Sequence, residues 1–179
     1  MFFGDSITEN WKDLDAEFFT HDRLDRGISG QTTAQMLVRL RADVIDLHPA
    51  VVHIMAGTND IAGNTGATSL ATIQGNIASM AEHGRAHGAR VILASIPSAA
   101  QLGWRPELRP AVTIAAMHEW LGRYAAREHH ICVDYHAVLN NGHGAFKAAL
   151  ADDGVHPNAA GYALMRPLAD TAVGKALAR

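Results

Sequence analysis

Two short stretches of this sequence hold side chains that can do nucleophilic chemistry together. MFFGDSITEN places Ser6 behind three apolar residues and the polar turn Gly4-Asp5-Ser6. DDGVHPNAAGY, near the other end, holds Asp153 and His156 with two residues between them. A serine hydroxyl is a weak nucleophile and needs a general base. In serine hydrolysis a histidine takes the hydroxyl proton, and a carboxylate fixes the ring tautomer and stabilises the imidazolium. Asp153 and His156 offer both roles from one loop, and Pro157, which has no N–H, keeps that loop from closing into a further hydrogen-bonded turn. Each stretch also has a structural reading. Asp5 or Ser6 can cap a following helix, and Asp153 or Asn158 can cap the last one.

Acyl transfer further requires donors aimed at a developing oxyanion. Gly30, lacking a side chain, can bring its backbone N–H close to a ligand. Asn59 carries an amide NH2 donor, and the N–H of Ser6 would make a third. The competing reading makes Gly30 a turn glycine and Asn59 a turn-stabilising asparagine. The remaining histidines give no metal-ligand spacing: His83, His87 and His118 fall within helical patterns, and His129-His130 at a helix end. No metal and no organic cofactor are expected.

The elements that must position these residues alternate along the chain. Apolar, β-rich runs at 1–3, 50–55, 90–96 and 131–134 read as strands, with a weaker one at 23–28. Between and after them, 33–47, 69–87, 111–128 and 159–178 repeat apolar residues at helical spacing, and 8–19 can form a helix behind Ser6. Such alternation predicts an α/β fold, a three-layer α/β/α sandwich with a parallel sheet, in one domain spanning 1–179. Ligands of such sheets bind beyond the carboxyl ends of the strands. Ser6, Gly30 and Asn59 each stand just past a strand. Irregular segments at 61–68 and 97–110 lie on the same edge as candidate substrate walls.

A chain of 179 residues, 48% hydrophobic and 18% charged, can bury a substantial core. Its formal net charge of −3 supplies no broad basic surface, so no nucleic-acid partner is expected. No apolar stretch approaches the about 20 residues of a membrane-spanning helix, so no membrane insertion is expected. The N-terminus lacks the pattern of a secretory leader and reads as cytoplasmic, although so short a first strand is also what removal of a leader would leave. Cys132, the single cysteine, sits in the apolar run Ile131-Cys132-Val133 and reads as a buried thiol. The alanine-rich helices, and an edge beside the first strand, are compatible with a homo-oligomer.

Four blocks in order, FFGDSITEN, RGISGQTT, GTNDIAGN and DDGVHPNAAGY, resemble the SGNH subgroup of the GDSL hydrolases, a family of serine esterases and lipases with a flavodoxin-like fold. The resemblance implies Ser6 as nucleophile, His156 as general base and acid, and Asp153 as its orienting carboxylate. It implies an oxyanion hole from Ser6, Gly30 and Asn59. Ile7 stands where the family motif usually has leucine, an apolar exchange that leaves the chemistry intact. The Gly-x-Ser-x-Gly elbow of the larger α/β-hydrolase fold is absent, and Ser29, in Gly27-Ile28-Ser29-Gly30, is rejected as nucleophile on its spacing.

The partner implied is a small-molecule ester: a short-chain acyl, aryl or carbohydrate O-acetyl ester. A lysophospholipase or thioesterase with the same residues is the alternative, and a non-catalytic flavodoxin-like binding module is a more distant one. Candidate substrate contacts are Ile61, Leu102 and Trp104 in the wall loops, with Asp5 and Val155 beside the proposed nucleophile and base. The competing reading of the wall residues is that they pack their loops onto the sheet.

Overall fold

The computed structural model of the chain describes residues 1–20 and 22–178. Its strands β1 (Phe2–Gly4), β2 (Asp25–Gly27), β3 (Val51–Met55), β4 (Arg90–Ala94) and β5 (Ile131–Val133) are all parallel. Their order across the sheet is β2-β1-β3-β4-β5. Helices α1 (Ser6–Leu14), α2 (Thr33–Asp43), α3 (Thr58–Ile61), α4 (Leu70–Ala86), α5 (Ala111–Arg127), α6 (Tyr135–Leu139) and α7 (Ala159–Leu177) occupy the connections and the chain end. This is the flavodoxin-like order, and the winding reverses between β1 and β3. A crevice opens at such a reversal.

Alternation within β1 builds both layers. Phe2 faces the α1 and α7 side, where it meets Trp11 and Phe18 edge-on at centroid distances of 5.7 and 5.2 Å. Phe3 faces the opposite side with Met36 of α2 and Ile73, Ile77 and Met80 of α4. There the Arg39 guanidinium lies 4.3 Å from the Phe3 ring centre and donates to the carbonyls of Gly4 and Arg26 at 2.9 and 3.0 Å. One side chain thus closes the carboxyl ends of two neighbouring strands.

Four local expectations are corrected. The first helix starts at Ser6 and ends at Leu14, because Phe18 and Phe19 leave it to pack on Phe2 and Trp11. The expected edge beside β1 does not exist: β2 folds back outside it, and β1 pairs on both sides. Cys132 is exposed, since β5 is an edge strand whose alternation buries Ile131 and Val133 and turns the thiol outward. The run 33–47 also divides, into α2 and a 3-10 turn at Ile45–Leu47. Among the described residues no helix is long and apolar enough to cross a membrane.

Candidate active site

Ser6 is the first residue of α1, and the turn that delivers it is built by its two predecessors. Asp5 caps the helix: its Oδ1 accepts the Ile7 N–H at 3.0 Å, and its carbonyl accepts the N–H groups of Thr8 and Glu9 at 3.1 and 3.0 Å. These bonds occupy the donors that follow Ser6 and leave the Ser6 N–H outside the cap. Gly4 allows the chain to turn straight from strand into helix. A Cβ there would stand 2.0 Å from Thr8 Oγ1 and 2.9 Å from the Met55 carbonyl oxygen.

The loop before α7 is organised by Asp153. Its Oδ1 accepts the N–H groups of Val155 and His156 at 2.9 and 2.8 Å, and its Oδ2 accepts from His156 Nδ1 at 2.6 Å. Capping of α7 falls to Asn158, whose Oδ1 accepts from Ala160 and Gly161. That separates Asp153 from the capping role. Because Asp153 holds the proton on Nδ1, Nε2 presents a lone pair, and it lies 2.9 Å from Ser6 Oγ. Partial desolvation raises the Asp153 pKa, but the hydrogen bonds from His156 and Val155 outweigh it and hold the carboxyl below its ordinary range. A hydroxyl in this setting can pass its proton to the ring while the ring stays fixed.

Gly30 and Asn59 come from the ends of β2 and β3. Gly30 has φ +77°, a left-handed conformation that favours glycine, and nothing lies within 4 Å of where a Cβ would stand. The Asn59 amide is buried, its Nδ2 donating to Asp5 Oδ2 at 3.2 Å and to the Gln31 carbonyl at 3.1 Å. Both amide hydrogens therefore have long protein bonds. Asp60 ties the same turn to α2, accepting from Thr33 N–H at 2.8 Å and Thr33 Oγ1 at 2.6 Å. Burial raises the Asp5 carboxyl to about 6, against the lowering effect of the Ile7 N–H.

The expected substrate contacts divide. Trp104 is 43% exposed, with its ring centre 6.3 Å from that of His156, and stands as a wall beside it. Ile61 is half-buried and packs against the core clusters, lining a groove of about 370 Å³ with Arg105 and Leu108. Three candidates are corrected. Leu102 at 0% exposure packs its loop onto the core, Val155 at 2% supports the histidine loop from beneath, and Asp5 at 1% directs its carboxylate at Ile7 and Asn59. Each is turned inward and cannot meet a substrate as placed.

Several residues that shape the site carried no assignment from sequence. The Glu9 carboxylate accepts the Ser29 N–H at 2.7 Å and also its hydroxyl, so the rejected serine anchors the turn before Gly30. Arg105 donates to the Ala62 carbonyl at 2.8 Å, stapling the two wall loops together. Asn64 lies within the block GTNDIAGN but had no separate signal. Its Nδ2 donates to Asn59 Oδ1 at 2.8 Å.

Residues 2–164 match the model of the GDSL-like Lipase/Acylhydrolase family. Esterase TesA of Pseudomonas aeruginosa is 34% identical over 146 residues, which is 82% of this chain and 66% of TesA. The uncharacterized lipoprotein YqeF of Bacillus subtilis is 36% identical over 109 residues, or 51% of this chain and 45% of that protein. This chain thus spans just under two thirds of the first of these relatives and less than half of the second. The crystal structure of a GDSL-like lipase from Bacteroides thetaiotaomicron superposes with a TM-score of 0.95 at 43% identity, covering 98% of this chain and 87% of that one. With the family model matching nearly the whole length, the chain belongs to the GDSL-like lipase/acylhydrolase family.

Proposed function

We propose that the chain is a serine esterase acting on short-chain acyl, aryl or carbohydrate O-acetyl esters through an acyl-enzyme. The reading is carried by the hydrogen-bonded line from Ser6 Oγ to His156 Nε2, at 2.9 Å, and from His156 Nδ1 to Asp153 Oδ2, at 2.6 Å. Ser6 attacks the ester carbonyl as His156 takes its proton, forming the Oγ–C bond. The oxyanion is held by the N–H groups of Ser6 and Gly30 and by the Asn59 amide, which shares a hydrogen from one of its long bonds. Collapse breaks the bond to the alcohol oxygen, which leaves with the proton from His156. Water, deprotonated by the same ring, then releases the acid and restores Ser6.

Small substrates are favoured by what surrounds Ser6. Leu102 and Val155, two of the apolar side chains expected as substrate contacts, are committed to the core. Trp104 is the exposed aromatic surface beside His156, and it suits a flat aryl or sugar ring more than an extended acyl chain. The test is an ester panel of p-nitrophenyl acyl lengths and acetylated sugars on wild type and Ser6→Ala. Activity concentrated on short acyl groups, and absent from the variant, is expected. Steeply rising activity on long chains, or on thioesters, would move the assignment to a lysophospholipase or thioesterase; full activity of Ser6→Ala would remove the serine mechanism.

A further inference from the structure

A side-chain amide has two nearly isosteric ends, so a donor built from one must be held against rotation. Asn59 can serve an oxyanion only while its NH2, and not its carbonyl oxygen, faces the site. Asp5 Oδ2 and the Gln31 carbonyl hold its NH2 through long bonds, and the contacts around Asn64 add a shorter one at its other end. Trp104 Nε1, a group that can only donate, lies 3.1 Å from Asn64 Oδ1. The Gly30 carbonyl, which can only accept, lies 3.4 Å from Asn64 Nδ2. Both fix the same orientation of the Asn64 amide, with NH2 toward Asn59. Asn64 Nδ2 then donates to Asn59 Oδ1 at 2.8 Å, which leaves Asn59 Nδ2 directed at Asp5 Oδ2 and the Gln31 carbonyl. The Asn64 backbone N–H adds a bond to the Asn59 carbonyl at 3.0 Å.

We propose that Asn64 is a positioning residue: oriented by the indole of Trp104, it holds the Asn59 amide with its NH2 toward the oxyanion. The proposal rests on the reading of Asn59 as an oxyanion donor. It gives Trp104 two separable roles, a ring beside His156 and an N–H that sets an amide two contacts away. It also links the wall loop at 97–110 to the turn after β3 through side chains that never touch the reacting atoms.

The chemistry of substitution distinguishes orientation from packing. N64A removes the bond at Asn59 Oδ1 and leaves those at its NH2, and the exposed position of Asn64 limits the effect to roughly fivefold in kcat, the scale of one solvent-accessible hydrogen bond. N64D is isosteric and still accepts from Trp104, but it offers Asn59 Oδ1 an acceptor where a donor stood. The Asn59 Oδ1 then faces a carboxylate while its NH2 is still held by Asp5 Oδ2 and the Gln31 carbonyl, so the amide is pushed off its position rather than turned over, and kcat falls further than in N64A, by roughly tenfold or more. W104F keeps a ring beside His156 and loses the N–H; a severalfold fall in kcat is expected.

Steady-state kinetics of these variants, alone and combined with N59A, make the test, with thermal melting as the control for folding. The expected result is a fall in kcat at little-changed KM, N64D worse than N64A, and no further loss when N64D is added to N59A. N64D equal to N64A, or its full loss repeated in the N59A background, would overturn the relay while leaving Asn59 a donor. If N59A itself left kcat unchanged, the donor role would fall and the relay with it.

Discussion

The hydroxyl of Tyr162 donates to the Ile7 carbonyl at 2.7 Å, joining α7, which follows the His156 loop, to α1, which begins at Ser6. The two residues are 155 positions apart, and the ring of Tyr162 is buried against Trp11 at a centroid distance of 5.3 Å. The Ser6–His156 contact is thus braced from behind by the only polar group of that ring. Tyr162→Phe keeps the stack and removes the brace. It should cost about 1 kcal/mol of stability, read by urea unfolding, because the carbonyl keeps its place in the helix but loses a buried partner. A severalfold fall in kcat is expected with it, and an unchanged kcat would show that the helices hold Ser6 and His156 together without this bond.

Asp153 performs two tasks with two oxygens. Oδ1 shapes the loop through two backbone N–H groups, and Oδ2 receives the proton-bearing Nδ1 of His156. Asp153→Asn can retain the loop bonds but is free to present its NH2 to the ring, which favours the tautomer that cannot accept from Ser6. A loss of about 10³- to 10⁴-fold in kcat is expected, by analogy with other serine triads. Labelling of Ser6 by a fluorophosphonate should slow in parallel while the melting temperature changes little.

Much of this arrangement was legible because it is written in short blocks at strand ends. Ser6, Gly30 and Asn59 each follow a strand, and a parallel sheet brings such positions to one edge whatever the order of its strands. Strand order itself left no local trace: β1 looks peripheral in sequence and is an interior strand of the sheet because β2 returns outside it. Side-chain direction within the loops was equally hidden. Leu102 and Trp104 are two residues apart in one segment, yet one closes the core and the other stands in solvent beside His156. Asn64 was invisible for a further reason. Its partners Trp104 and Gly30 are 40 and 34 positions away, and only the folded chain brings the donor-only and acceptor-only groups to its two ends.

Asp5 should leave a signature in the pH dependence of stability. Its carboxyl ionises near the ordinary 3.8 when unfolded and at about 6 in the folded chain, where burial disfavours the charge. Between those values the folded state holds the extra proton. The stability from the neutral acid is full below the lower value and is lost as pH rises through the upper one. Asp5→Asn does not titrate. Whatever constant offset the amide introduces, the stability of this variant relative to wild type should increase from about pH 4 to about pH 7, by up to about 3 kcal/mol. Urea unfolding across that range reads the slope, and a difference independent of pH would place Asp5 in its charged form throughout.

His53 titrates with the opposite sign. It is buried in β3, with Nε2 3.0 Å from Tyr135 Oη, and burial lowers its pKa from 6.5 to about 3. The unfolded chain therefore binds a proton near neutrality that the folded chain refuses, so this contribution is present above pH 6.5 and is lost as pH falls toward 3. His53→Phe should lower stability at neutral pH, where the bond to Tyr135 is lost, and should lose less on acidification than wild type does. Parallel acid dependences for the two proteins would count against a neutral buried ring.

Gly4 and Gly30 both lie in the motif blocks, and their geometry predicts different failures. At Gly4 an added methyl meets Thr8 Oγ1 at 2.0 Å and the backbone carbonyl oxygen of Met55 at 2.9 Å. The Thr8 hydroxyl can rotate away, but the Thr8 Cβ, 2.8 Å from the new methyl, and the Met55 carbonyl, fixed by the sheet, cannot, so helix α1 must lift off the strand. Gly4→Ala is expected to cost about 1–3 kcal/mol, the range for overpacking, and to lower the melting temperature visibly. At Gly30 the space is open and the constraint is φ +77°, which costs an alanine roughly 1–2 kcal/mol. If the turn holds, the methyl projects beside the N–H proposed to meet the oxyanion; if it relaxes, the N–H turns away. Either outcome lowers kcat, and a fall of at least about tenfold is expected in a protein that still melts cooperatively. Equal damage to folding from both substitutions, with kcat preserved in Gly30→Ala, would make Gly30 a turn residue and nothing more.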